Sequence, residues 1–404
     1  MDNRIKVGVI GLARGSFILR NAKHLADHMV VTGVCESDPE ILEKAKNAFS
    51  EETKIYDDFD SLIHSGIDAV ALCNFFPDHA ECAIKAFEAG VAVFSETTAA
   101  PSLGLCVDLV EAYEKYNGKY MLAANCPYYR AVHAMKEKIE KEEYGKVVYA
   151  DAEYIHPVTP EEDVLGMTDK NINTENLHWR QTLPAGYYNM HSLGPIMYIT
   201  GSVPVKVVAK VVAGDSFGKL RTGVKSFGLY EMDNGIVVNS TGCVSVGSKS
   251  KWYRVACEKG TMETVRYQES ELDLIEADHT GENVKTTTHD WVSSNVLSED
   301  DQAKYASKIE KAGHGGIDFA LLINFIKFMR GEQEAFFDVY RACALSSAGI
   351  LSWYSALSGS KEMTIPDYHK KEDRDKVRGD YRMPFAKKYS DLTLPCKLGE
   401  KFEL

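Results

Sequence analysis

The sequence predicts an α/β protein in two parts. A doubly wound parallel sheet comes first, and an α+β domain with a large open mixed or antiparallel sheet follows. Three observations predict this. Short apolar runs alternate with helix-period stretches as far as about residue 125. A glycine-rich turn directly follows the first run. Beyond residue 126 the rhythm changes to long β-like runs.

The elements justify themselves in order. Residues 5–10 are an apolar strand, followed by Gly11-Leu-Ala-Arg-Gly15-Ser and a helical pattern. Val30–Cys35 is a second strand ending in Glu36-Ser-Asp38-Pro39, and Ile41–Phe49 is its helix. Ile67–Cys73 and Val91–Ser95 are further strands, each followed by a helix, over Asp78–Ala89 and Leu103–Tyr116. Tyr120–Asn125 closes the series. A helix over Ala131–Glu142 then leads into β-like runs at Lys146–Ile155, Val205–Ala213, Ser226–Met232, Gly235–Val246 and Trp252–Cys257. Asp233-Asn234-Gly235 separates two of these as a hairpin turn. Helices over Asp318–Arg330 and Val339–Ser358 follow, the second capped by Asp338.

Size and composition bound the function. A chain of 404 residues is long for one domain and suits two. Hydrophobic residues at 45% and charged residues at 26% fit a folded globular protein, which excludes disorder as the main state. No apolar run reaches the roughly 18–20 residues of a membrane span. The net charge of −13 repels phosphate backbones, so nucleic acid is not an expected partner. Nine cysteines without a Cys-x-x-Cys pair read as free thiols of a reducing cytoplasm. The N-terminus runs straight into a strand, without the layout of a secretory signal. His156, His178, His191 and His314 lack metal-ligand spacing, and no metal is expected.

The first turn carries the first functional signal. A backbone that approaches a pyrophosphate at a helix N-terminus needs small residues. Gly11, Ala13, Gly15 and Ser16 provide them, with Ala13 where a second glycine is usual. Glu36, ending the second strand, can hold both ribose hydroxyls and repel a 2′-phosphate, which favours NAD over NADP. Arg14 points the other way, because an arginine there could accept that phosphate. The expected division is a dinucleotide-binding Rossmann domain over 1–125 and a substrate-binding and oligomerisation domain over 126–404, with a wrapping tail from about 366.

With these residues the chain resembles the Gfo/Idh/MocA family, the glucose–fructose oxidoreductase and inositol dehydrogenase group. Asn74-Phe-Phe-Pro-Asp-His79 resembles the family's Thr-Pro-x-x-x-His segment. Ser95-Glu96-Thr97-Thr98 stands at its Glu-Lys-Pro, and Asn125 at an asparagine common after the fifth strand. The lysine of Glu-Lys-Pro is Thr97 here, and threonine supplies neither a cation nor a titratable amine near neutrality. A branch that also lacks the lysine is more similar: NAD-dependent glycosidases of the α-N-acetylgalactosaminidase type. Tyr120-Met-Leu-Ala-Ala-Asn-Cys-Pro-Tyr128, Glu153-Tyr154-Ile-His156, Trp179-Arg180 and Gly186-Tyr-Tyr188-Asn-Met-His191-Ser-Leu-Gly-Pro195 match its motifs. So do Gly313-His314-Gly-Gly-Ile-Asp318, Phe337-Asp338-Val-Tyr340 and Ile365-Pro-Asp367. Ala124, where that branch has glutamate, departs from it.

The resemblance implies NAD held by Gly11, Ala13, Arg14, Gly15, Ser16, Glu36, Asn74, His79, Glu96 and Asn125. It implies a sugar or glycoside held by Thr97, Tyr128, Trp179, Arg180 and His314, with Tyr154, Tyr188 and His191 as proton-transfer groups. In that chemistry the hydroxyl-bearing carbon 3 is oxidised, the carbon 1 substituent is eliminated, water adds and hydride returns. A plain NAD(P)-dependent sugar or cyclitol dehydrogenase, and a non-catalytic sugar- or dinucleotide-sensing protein, are the alternatives. Family members cover the open sheet face by self-association, so a homodimer or homotetramer is expected.

Overall fold

The computed structural model describes residues 3–155, 183–212, 225–243, 250–266, 273–288, 299–309, 316–384, 393–395, 398–399 and 402–404. The chain divides into two compact units. One comprises Met1–Ala100, Leu105–Asn125 and Ser294–Cys343; the other comprises Pro101–Gly104, Cys126–Ser293 and Ala344–Leu404.

The first unit is built on β1 (Ile5–Ile10), α1 (Leu12–Ala22), β2 (Met29–Cys35), α2 (Pro39–Ala45), β3 (Lys54–Tyr56), α3 (Phe59–Ile63) and β4 (Ala69–Leu72). It continues through α4 (His79–Glu88), β5 (Ala92–Ser95), α5 (Leu103–Tyr116) and β6 (Tyr120–Leu122). The six strands form a wholly parallel sheet in the order β3-β2-β1-β4-β5-β6. Its central strands are apolar on both faces, as a sheet layered by helices requires: Val7 and Val9 of β1 and all of β4 are buried. Strand order reverses between β1 and β4, and the crevice beyond their carboxyl ends is where such sheets take ligands.

Local chemistry sets the boundaries. The helix expected over Ile41–Phe49 starts earlier, at Pro39, because Asp38 accepts hydrogen bonds from the Glu40 and Ile41 amides and Pro39 occupies the first turn. It tightens into a 3₁₀ turn over Lys46–Ala48. The short β3 and α3 lie outside the expected elements. β3 is a three-residue, largely exposed edge strand with little apolar signal to read.

The second unit carries α6 (Arg130–Glu140), β7 (Val147–Ile155), α7 (Leu193–Thr200), β8 (Pro204–Val212), β9 (Lys225–Met232), β10 (Val237–Cys243), β11 (Ser250–Cys257), β12 (Gly260–Thr264), β13 (Asp273–Asp278) and β14 (Val284–Thr288). Next along the chain, α8 (Glu299–Ile309) and α9 (Ile317–Met329) fall in the first unit. After them come α10 (Val339–Leu357), β15 (Met363–Thr364) and α11 (Lys371–Val377). Asp338 does cap α10, its Oδ1 accepting from the Arg341 amide at 2.8 Å.

The second sheet is mixed, in the order β14-β13-β12-β11-β7-β10-β9-β8-β15, with β7 and β10 parallel and the other pairs antiparallel. The β9–β10 hairpin turns through Gly235 at φ +85°, a value that favours glycine. β9 alternates cleanly. Ser226, Gly228, Tyr230 and Met232 are turned inward; Phe227 and Leu229 stay exposed. Strands β12–β14 and helix α8 lie outside the expected elements, because charged residues interrupt both their strand and helix periods.

Candidate functional site

The first unit presents a cradle at its switch point. Gly11 leaves β1 at φ +83° and N-caps α1 without a side-chain cap. A Cβ there would lie 2.5 Å from the backbone of Cys73 and Asn74, so glycine is required for this turn to pass the end of β4. Gly15 lets α1 press onto β1, since its Cβ would meet Val9 Cγ1 at 2.5 Å. Ala13 and Ser16 lie in the first turns of α1. With Leu12 they open a cavity of about 600 Å³ that runs along α1 and is bordered by Arg20, Lys44 and Lys308.

Glu36 is placed by the backbone. Its Oε2 accepts from the Leu12 amide at 2.6 Å and its Oε1 from the Asp38 amide at 3.0 Å. A carboxylate has about four lone-pair sites, so two backbone donors leave capacity for two hydroxyls. Arg14 is committed elsewhere. Its Nε donates to Glu96 Oε1 at 2.6 Å, and Nη1 and Nη2 lie 3.5 Å from the Asp318 carboxylate. Burial alone would lower the guanidinium pKa, but the fields of Glu96 and Asp318 more than offset it and hold the charge firmly on. A side chain tied to two acids is a poor receptor for a 2′-phosphate. In the sequence Asp318 is only part of a motif, and its pairing with Arg14 spans 304 residues, beyond any local signal.

The remaining cradle residues sit at strand ends. Asn74 follows β4 and Asn125 follows β6. Asn74 Oδ1 and Asn125 Oδ1 are buried acceptors without a hydrogen-bond partner among the described residues. Such atoms cost about 1–3 kcal/mol until a donor reaches them, and a dinucleotide's hydroxyls and carboxamide are such donors. These residues therefore fit the cofactor. His79 is 1% exposed. Its ring nitrogens lie 3.1 Å from the Thr98 carbonyl oxygen and 3.2 Å from that of Asn74. Burial depresses its pKa, and the ring lies between the loops after β4 and β5. Thr97 is half-buried, its amide 3.4 Å from Glu96 Oε2.

The second unit brings Tyr154, Tyr188 and His191 together. Tyr154 lies on β7, while Tyr188 and His191 lie on a 3₁₀ segment over Ala185–His191 that kinks at Tyr188. The His191 ring centroid is 4.6 Å from that of Tyr154 and 5.0 Å from that of Tyr188. His191 Nε2 lies 3.3 Å from the Tyr188 hydroxyl. Glycines make this possible. Gly242, paired with Tyr154 across β7–β10, leaves room for the segment: a Cβ there would approach the Ala185 carbonyl to 2.8 Å. Gly186 packs where a side chain would run into Ser226 and Ser352.

Residues the sequence did not single out complete this cluster. Lys251 on β11 lies directly across from Tyr154, and its Nζ donates to the Tyr129 hydroxyl at 3.1 Å. Tyr253, stacked on Tyr129, donates from its hydroxyl to the His191 carbonyl at 2.7 Å. Only strand register, which fixes which residues face each other, could have found them. Tyr128 is buried, and desolvation raises its phenol pKa well above the usual range. Trp179, Arg180 and His314, as well as His156 and His178, lie outside the described residues. Among the described residues no helix is long and apolar enough to cross a membrane, and no His, Cys, Asp and Glu group could hold a metal ion.

Residues 5–124 match the family model of the oxidoreductase family with an NAD-binding Rossmann fold. The chain is therefore an NAD-binding enzyme, and its residues 5–124 are similar to the Gfo/Idh/MocA oxidoreductases. Residues 249–374 add a narrower match, to the C-terminal domain of glycosyl hydrolase 109. Glycosyl hydrolase family 109 proteins of Stenotrophomonas maltophilia and Shewanella pealeana are 24% and 23% identical. Those alignments cover 90% of this chain and 89% and 85% of the relatives. Among solved structures, levoglucosan dehydrogenase in complex with NADH and levoglucosan superposes with a TM-score of 0.70 at 16% identity, over 90% of this chain and 100% of that one. The WlbA dehydrogenase of Bordetella pertussis, in complex with NADH and UDP-GlcNAcA, gives 0.68 at 16% identity, over 91% and 99%. These two likenesses are of fold.

Proposed function

We propose that this protein uses NAD to act on a sugar or glycoside, and that oxidation at ring carbon 3 opens a route to cleavage of the glycosidic bond. The observation that carries the reading is the Tyr154–Tyr188–His191 cluster, three proton-carrying rings with centroids 4.6–6.0 Å apart, in a chain with threonine at the family's lysine position. The names of the family 109 relatives and of the sugar-bound dehydrogenases support it.

Bound NAD supplies a hydride acceptor for the hydroxyl-bearing carbon and returns the hydride at the end of turnover. The chain's own groups move protons. His191 takes the hydroxyl proton through Nε2, with the Tyr188 hydroxyl as its neighbour. A ketone at carbon 3 acidifies the hydrogen on carbon 2. A ring of the same cluster removes that proton as the carbon 1 substituent leaves, and water then adds across the double bond. This scheme needs no pair of opposed carboxylates. Glu36 and the Arg14–Glu96 pair favour NAD over NADP.

Purified protein incubated with aryl glycosides and catalytic NAD tests the reading. Aglycone release without NADH accumulation is the expected result. Steady NADH formation without aglycone release would make the protein a plain dehydrogenase.

We also infer that a second copy covers the outer face of the second sheet. Tyr149, Phe227, Leu229 and Val237 are 40–53% exposed and share that face by register. Particles of single-chain mass in light scattering would refute this. The seven described cysteines recorded as free thiols support a reducing compartment.

A further inference from the structure

We propose that Arg14 is the cation of the cradle's nicotinamide half, standing in for the lysine that Thr97 replaces, and that with Glu96 and Asp318 it sets how the protein weighs oxidised against reduced cofactor. This deepens the proposed function and rests on it in one respect: a cofactor that must return its hydride within one turnover should strongly prefer neither redox state.

The argument starts from placement. A doubly wound sheet binds a dinucleotide with two mononucleotide halves, and the strand-end acid at Glu36 marks the β1–β3 half as the adenosine side. The other half, β4–β6, then takes the nicotinamide. Glu96 directly follows β5, in that half. Arg14 starts in the glycine turn, yet its guanidinium reaches Glu96 at 2.6 Å and Asp318 at 3.5 Å, with the Phe17 ring centroid 4.2 Å away. Its side chain keeps 34% exposure, whereas Glu96 keeps 16% and Asp318 2%. The cation is thus the open member of the group and the acids are the closed ones.

The charge count follows. One guanidinium against two carboxylates leaves a net −1. A lysine at position 97 would bring it to zero; loss of Arg14 would bring it to −2. Reduction of the nicotinamide adds a hydride, one proton with two electrons, and removes the ring's positive charge. The alcohol that gives up the hydride loses its hydroxyl proton to a base. A more negative surround therefore favours the oxidised form, and Arg14 moderates that preference. Partial burial of the carboxylates keeps the effect from being screened as a surface pair would be.

The test needs no sugar. Dissociation constants for NAD⁺ and for NADH are measured by calorimetric titration on the full chain, for wild type and for Arg14→Gln, Arg14→Lys and Asp318→Asn. Arg14→Gln should weaken NADH relative to NAD⁺ by about tenfold, equivalent to about 30 mV in bound potential. Arg14→Lys should hold the wild-type ratio within threefold, and Asp318→Asn should move it at least threefold towards NADH. A shift below threefold in Arg14→Gln, or one in the opposite direction, overturns the proposal. If Arg14→Gln does not fold, Asp318→Asn decides by the same threshold. A wild-type protein that binds neither form overturns it outright. Failure to cleave any aryl glycoside would instead sink the glycosidase reading and leave this ratio standing.

Discussion

The Tyr253 hydroxyl donates a 2.7 Å hydrogen bond to the backbone carbonyl of His191. Tyr253 is 1% exposed, so β11 anchors the main chain on which the proposed base is carried. Tyr253→Phe removes this bond and keeps the ring. Unfolding free energy should fall by about 1 kcal/mol. Turnover of aryl glycosides should fall by more than that destabilisation explains, while NAD affinity stays put. Unchanged turnover would mean the anchor is not needed.

His191→Ala should lower turnover by about 10²–10⁴-fold, the usual worth of a positioned acid–base group. NAD affinity should be unchanged, because the cradle residues lie in the first unit. Single-turnover hydride transfer, followed by nicotinamide absorbance, is the measurement. Turnover within threefold of wild type would remove His191 from the base role.

Glu36→Ala deprives the Leu12 and Asp38 amides of their acceptor and removes the acid proposed to exclude a 2′-phosphate. NAD affinity should fall by about tenfold, a loss of about 1.4 kcal/mol. The preference for NAD over NADP should narrow. Fluorescence titration with both nucleotides reads this directly, and an unaltered ratio would count against the assignment.

Gly11→Ala meets two obstacles at once, a φ of +83° and a Cβ 2.5 Å from the Cys73 and Asn74 backbone. The first alone costs about 1–2 kcal/mol. A melting temperature lower by several degrees is expected, with loss of NAD binding. A variant that melts with wild type and binds NAD would show the turn to be more tolerant than its geometry implies.

His133 gives a pH dependence. It is 2% exposed, its Nδ1 lies 2.7 Å from the Tyr198 hydroxyl, and burial lowers its pKa from 6.5 to about 4. Between those values the unfolded chain binds a proton that the folded one refuses. Stability should therefore fall as pH drops from 6.5 towards 4, by up to about 3 kcal/mol from this group. His133→Asn can still accept from Tyr198 and cannot titrate. Denaturation midpoints at pH 7, 5.5 and 4.5 should fall less steeply for the variant. Parallel curves would place the acid sensitivity elsewhere.

The legible parts of this protein are those that local chemistry dictates. The apolar run at Ile5–Ile10, the small residues after it and the acid at Glu36 suffice to place a dinucleotide turn, because strand, turn and helix are neighbours in sequence. Tyr188 and His191 were singled out through the resemblance, and the structure places their ring centroids 5.0 Å apart. Lys251 and Tyr253 were not legible, since they meet Tyr154 and His191 through strand register, and register depends on which strands pair. Asp318 was legible as a motif residue but not as a partner of Arg14. The sequence signal at β12–β14 was weak because charged residues such as Glu263, Glu276 and Lys285 stand inside those strands. One of them, Glu276, is 3% exposed and held by the Tyr144 hydroxyl at 2.6 Å.

The return of residues 294–343 to the first unit has a consequence for biosynthesis. Phe94 of β5 packs on Phe325 of α9 at 4.7 Å between centroids, and the Leu122 amide of β6 donates to the Phe337 carbonyl. A nascent chain leaving the ribosome lacks those partners until Phe325 and Phe337 have been made. The nucleotide-binding unit, although encoded first, is thus completed only after most of the second unit has been made.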